Sequence, residues 1–107
     1  MAGFGDLSGL LAQAEEMRRQ LEEARGELRS VEVEGHAASG AVTVVLTATL
    51  DVRAVRIDPA LLAEPAQAER LAGLVAEALA DAIETARSHS KERLRQITGD
   101  LPLPDLF

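Results

Sequence analysis

The residues that could do chemistry in this sequence are the cations near its C-terminal end. Arg87, Lys91 and Arg95 are four residues apart, so in a helix they lie on one face. Arg93 adds a fourth positive charge, and Glu92 is the only acidic residue between positions 87 and 98. Clustered guanidinium and ammonium groups bind the phosphates of a nucleic-acid backbone. Cations near a helix C-terminus also offset the negative end of the helix dipole. The spacing by itself leaves both explanations open.

Other residue types that carry chemistry do not form a constellation suited to catalysis. His36 follows a glycine in an expected turn, and His89 lies in an expected solvated helix. Neither has a histidine partner at i+4 or a cysteine nearby, as a zinc site requires. The glutamate pairs 15–16 and 22–23 fit a solvated helix surface. We therefore predict no catalytic residue, no metal site and no cofactor, and we expect that the protein is not an enzyme.

The composition of the chain limits the kinds of partner that it can be expected to bind. The net charge is −7 over 107 residues, which argues against strong overall attraction to nucleic acid or to an anionic membrane. The sequence has no Tyr, Trp or Cys. Base stacking is therefore not expected, so any nucleic acid bound should be a duplex recognised by its backbone. The absence of cysteine favours a reducing cytosol, and no segment approaches the ~20 apolar residues of a membrane span.

Alternating apolar residues predict a three-stranded antiparallel sheet in the middle of the chain. The expected strands are 30–35, 42–50 and 52–57, and the last ends where Asp58 precedes Pro59. The glycine-rich stretch between the first two strands is expected to be a turn. This sheet is the element against which the helices pack.

Two long helices are expected on either side of the sheet. The first is predicted from Asp6 to Arg29, with apolar residues spaced alternately by three and four from Leu7 to Val31. This seam fits packing on the chain's own second helix or on a second chain. A short helical turn is predicted at 60–63, and a long helix from Pro65 to about Thr98.

The apolar residues are mostly small, so a single copy would have a thin core. Ala, Leu and Val dominate, with only two Phe. A thin core favours a homodimer. The chain is expected to be one domain, 1–107, with a flexible N-terminus at 1–5 and a tail at 99–107. Because Leu101–Phe107 is apolar, this strip is a possible contact for a protein partner.

In their order along the chain, these residues resemble the YbaB/EbfC family of nucleoid-associated proteins. The matching positions are Leu10-Leu11, Gln13-Ala14, Met17, Glu32-Val33, Gly35, Gly40, Val42–Val44, Val55–Pro59 and Leu61-Leu62. No single motif is specific, but the ordered set is. The resemblance implies an α+β fold with an N-terminal helix, a three-stranded antiparallel sheet, a short helix and a long C-terminal helix. It also implies a homodimer shaped like tweezers.

The resemblance implies a cytoplasmic, nucleoid-associated protein that binds duplex DNA with low sequence specificity, chiefly through backbone contacts, and that is not an enzyme. The contact candidates are the basic residues of the first and last helices, namely Arg18, Arg19, Arg25, Arg29, Arg87, Lys91, Arg93 and Arg95. Ala12, Gln20 and Glu23 stand where the family is commonly basic. The alternative is an acidic protein–protein interaction module of the same fold that has lost DNA binding.

Overall fold

The structure is a computed structural model that describes residues 2–99, with side chains described from Leu7 onward. Its elements are α1 (Ala2–Leu28), β1 (Glu32–Ala37), β2 (Val42–Thr47), β3 (Val52–Ile57) and α2 (Ala68–Thr98), with 3₁₀ turns at Ala38–Gly40, Pro59–Leu62 and Pro65–Gln67. This is the α+β order that the sequence predicts. The tail from residue 100 to 107, including the apolar strip, lies outside the described residues.

The three strands form an antiparallel meander in the order β1-β2-β3, as predicted. The first strand begins and ends two residues later than expected, and β2 stops at Thr47 instead of Leu50. Leu50 has a positive φ of 72°, which breaks the extended conformation in the turn before β3. All six residues of β2 are buried, because this strand is flanked on both sides. The central strand therefore has no exposed face, although its apolar residues recur at every second position.

Gly35 lies inside β1, whereas the sequence pattern places it at the end of the first strand, where the turn is expected to begin. A Cβ atom at this position would lie 2.2 Å from both the carbonyl oxygen of Ala78 and the amide nitrogen of Ala82. Glycine is required because the backbone of α2 approaches the strand directly. His36, which was also expected in the turn, follows in the same strand. The turn itself is limited to Ala38–Gly40.

The core forms where α2 crosses β1 and β2. Its buried residues are Val33, Ala37, Val42, Val44, Leu46, Ala78, Ala82 and Ala86. The three alanines of α2 are four residues apart, so they present one smooth face of the helix to the sheet. Two polar contacts fix the helix across this core. Ser90 Oγ donates to the carbonyl of Ala48 at 2.9 Å, and the His36 amide donates to Asp81 Oδ2 at 2.9 Å.

The third strand leaves one edge of the core uncovered. No described residue of β3 belongs to the buried core. Val55 pairs with Val44 and Val52 pairs with Leu46, so both face the same side of the sheet as the core. Yet Val55 is 48% exposed and Val52 is 61% exposed. We call these two residues the β3 strip.

The first helix packs on α2 only through its C-terminal part. Ala24 and Leu28 are buried, whereas Leu7, Leu10 and Leu11 are more than half exposed. The C-terminal part of the predicted apolar seam therefore packs on α2, and its N-terminal part stays exposed to solvent. The helix also begins at Ala2, earlier than the predicted Asp6. Glycine lowers helix propensity but keeps its N–H donor, so the early glycines do not end the helix.

Candidate nucleic-acid interface

Arg18 and Arg19 on α1 are each held between two carboxylates. All six side chains are more than half exposed. The partners are Glu15 at 3.1 Å and Glu22 at 2.9 Å for Arg18, and Glu16 at 3.0 Å and Glu23 at 2.5 Å for Arg19. These partners lie three and four residues away, which is the spacing of neighbours on a helix surface. In the middle of α1, each arginine is therefore paired with a glutamate on either side of it.

The same hydrogen bonds shift the ionisation of the pairs. The bond from Arg19 lowers the pKa of the Glu16 carboxyl and raises the pKa of Arg19. The bond to Glu15 likewise raises the pKa of Arg18. A phosphate that approaches either guanidinium therefore competes with the glutamates already bonded to it. Exposed pairs of this kind exchange partners readily.

The two C-terminal arginines of α2 are paired as well. Arg93 Nε lies 3.1 Å from Glu27 Oε2, and this ion pair joins α2 to α1 with the Arg93 side chain only 32% exposed. Arg95 Nη2 lies 2.7 Å from Glu92 Oε1, and its hydrogen bond lowers the pKa of Glu92. Both residues are therefore engaged by carboxylates of the same chain.

Four of the eight predicted contact residues are exposed and make no ion pair within residues 7–99. They are Arg25, Arg29, Arg87 and Lys91. Arg25 and Arg29 lie one turn apart at the end of α1, where the Arg29 amide donates to the Arg25 carbonyl at 3.2 Å. Arg87 and Lys91 lie one turn apart on α2 and line a shallow open groove with Ile83 and Glu84. These cations can meet a phosphate without displacing a carboxylate.

The structure adds one cation that the sequence pattern did not single out. Arg53 Nη2 donates to the main-chain carbonyl of Arg29 at 3.5 Å, although 24 residues separate the two in sequence. Arg53 is exposed and makes no ion pair with any carboxylate of the described part of the chain. In the sequence it is only a polar position within a strand. Its place beside the end of α1 depends on how α1 and β3 meet.

The remaining polar groups do not converge on a further site. The ring of His36 lies 3.0 Å from Thr43 Oγ1 through Nδ1 and 3.7 Å from Glu34 Oε2 through Nε2. Across residues 7–99, no three metal-binding side chains are grouped so that they could hold an ion. No helix in that range combines the length and apolar character needed to cross a membrane.

Both the fold and the sequence of this chain are similar to those of known proteins. The chain resembles the uncharacterized protein HP0035 from Helicobacter pylori, whose crystal structure matches with a TM-score of 0.71 at 20% identity, covering 90% of this chain and 97% of that one. At this identity the similarity supports the fold alone. The model of the YbaB/EbfC DNA-binding family matches residues 3–101, which is nearly the whole chain. The chain therefore belongs to the YbaB/EbfC DNA-binding family.

Proposed function

We propose that this protein is a nucleoid-associated protein of the cytoplasm that binds duplex DNA as a homodimer. Binding is chiefly to the phosphate backbone and has low sequence specificity. The observation that carries the proposal, beside the family match, is the set of exposed cations at the end of α1 and along α2 that have no carboxylate partner within residues 7–99. The acidic groups elsewhere keep the net charge at −7 and the protein soluble.

The chemistry of these cations explains the expected binding mode. Arg25, Arg29, Arg87 and Lys91 offer charge and N–H donors on helix surfaces, which suits phosphate oxygens. Each phosphate neutralised releases a condensed counterion, so affinity should fall steeply as salt rises. The sequence has no Tyr or Trp to stack on bases. Discrimination between sequences should therefore be slight.

We expect the homodimer to form over the β3 strip. Val52 and Val55 extend the core face of the sheet but stay largely exposed among the described residues, and Leu62 and Leu79 are also exposed. Burying such a face removes apolar surface from water, which is the main driving force of association. Dimer formation would also double the number of free cations presented to one duplex.

Replacing Val55 with Asp is expected to convert the dimer into a monomer. A carboxylate on the β3 strip would lose its hydration in the interface without gaining a partner. The control is Arg56→Asp, which introduces the same side chain one residue away on the opposite face of the sheet. Sedimentation equilibrium should give the monomer mass for Val55→Asp and the dimer mass for Arg56→Asp. A dimer in both variants would exclude the β3 strip as the interface.

The double variant Arg87→Gln with Lys91→Gln is expected to weaken binding to a random-sequence duplex. Because both copies of the dimer lose these two cations, up to four fewer phosphates are neutralised, and the slope of log K against log salt should become shallower by up to about 3.6. The control is Arg18→Gln with Arg19→Gln, which removes the same charge from guanidinium groups already held by glutamates. Fluorescence anisotropy titrations at several salt concentrations measure both, and equal weakening would contradict the proposed role of the unpaired cations.

A confirmed wild-type dimer that binds no duplex even at low salt would overturn the DNA-binding proposal. It would favour the acidic interaction module instead, with the same fold and a protein partner.

A further inference from the structure

Arg53 lies beside Arg29 where α1 ends, Arg25 lies one helical turn before Arg29, and none of the three has a carboxylate partner among the described residues. Arg25 and Arg29 occupy the last turn of α1 and the residue after it, and Arg53 reaches the Arg29 carbonyl from the sheet. All three are exposed. We call this group the junction cluster. Like charges gathered without counter-charges are unfavourable alone and are relieved by an anion.

The end of α1 positions the guanidinium of Arg53. The carbonyls of a final helical turn lack helical partners and carry the negative end of the helix dipole, so they attract a cation. Arg53 uses one donor on the Arg29 carbonyl, and a guanidinium has five N–H donors in a planar fork. The remaining donors are left for another acceptor. A planar fork held in this way matches the paired oxygens of a phosphodiester.

Two acids close to the cluster in sequence, Asp51 and Glu27, make hydrogen bonds or ion pairs with other groups, whereas Glu32, three residues after Arg29, makes no ion pair within residues 7–99. Asp51 Oδ2 accepts from the hydroxyls of Thr47 at 3.4 Å and Thr49 at 3.2 Å. Glu27 lies on α1 between the two arginines of the cluster, but its carboxylate pairs with Arg93. Glu27 is therefore paired with a cation outside the junction cluster. Arg18 and Arg19 in the middle of α1 are paired with glutamates, whereas Arg25 near the end of the same helix makes no ion pair within residues 7–99.

We propose that Arg53, together with Arg25 and Arg29, forms a phosphate-binding site for the backbone of duplex DNA. The inference rests on the proposed function and adds a residue from the sheet to the contacts on the helices. It places the bound backbone at the base of α1, where the helix meets the sheet, and away from the acidic middle of that helix. Because Arg53 lies in the sheet, replacing it tests this site independently of the contacts made by the helices.

The test compares Arg53→Gln with Arg70→Gln in the full chain. Arg70 is an exposed arginine at the start of α2 that donates to the side chain of Gln67 at 3.5 Å, so its replacement makes the same change in charge far along the chain. We expect Arg53→Gln to weaken binding of a random-sequence duplex and to make the salt slope shallower by about 0.9 for each phosphate that is no longer neutralised. Arg70→Gln should leave the slope unchanged. Arg53→Lys should restore most of the slope, because it keeps the charge.

The outcomes separate this inference from the proposed function. If wild type binds duplex and the two glutamine variants have equal slopes, the junction site is wrong while DNA binding stands. If wild type does not bind at low salt, both are overturned. Circular dichroism and sedimentation confirm that each variant keeps its helical content and oligomeric state, so a change in slope reports contact with DNA.

Discussion

Replacing Gly35 with alanine is expected to lower the free energy of unfolding by about 3 kcal/mol, which is a large fraction of the roughly 5–15 kcal/mol that is ordinary for a domain. The new Cβ would lie 2.2 Å from two backbone atoms of α2, at Ala78 and Ala82. Backbone atoms cannot rotate away as a flexible side chain can. The helix must therefore lift off the sheet, and the alanine face of α2 no longer packs closely on β1.

Gly26→Ala is the matched control for this variant. Gly26 lies in α1 with nothing within 4 Å of its would-be Cβ. Alanine has the higher helix propensity, so the control should be more stable than wild type by up to about 1 kcal/mol. Urea unfolding followed by circular dichroism measures both variants. A Gly35→Ala protein as stable as wild type would show that α2 does not approach β1 this closely.

The double variant Glu16→Gln with Glu23→Gln is expected to bind duplex DNA more tightly than wild type. It removes both carboxylates that hold Arg19 and frees that guanidinium for a phosphate. Each new contact should steepen the salt slope by about 0.9, and the affinity at low salt should rise several-fold. The result would show that the glutamates paired with Arg19 weaken DNA binding.

Glu69→Gln with Glu77→Gln provides the comparison for the effect of overall charge. Both double variants remove two negative charges from a net charge of −7, but neither Glu69 nor Glu77 makes an ion pair within residues 7–99. A general reduction in repulsion would tighten binding equally in the two variants, leaving Arg19 without a special role. Only the first variant should steepen the slope, as anisotropy titrations across salt concentrations can measure.

The order of elements could be predicted from the sequence because it depends on local pattern. Alternating apolar residues mark β2 and β3, and the β3 prediction of 52–57 is confirmed at both ends. Asp58 before Pro59 marks a helical start, and the Asp58 side chain does accept from the Ala60 amide at 2.9 Å. The ordered motifs also indicated the family, which the match over residues 3–101 confirms. Charge clustering on the helices was equally visible.

Which of these residues have partners depends on the tertiary packing. Gly35 is a turn signal in sequence, but in the fold it permits contact with a helix whose residues 78–82 lie more than forty positions away. Arg53 gains its place from the end of α1, and Arg93 is partly covered through its ion pair with Glu27. Periodicity reports what one element presents to its surroundings, whereas ion pairing and close backbone approach depend on which distant element arrives there. For this protein, the elements and their charges follow from the sequence, and the packing sets which charges remain free.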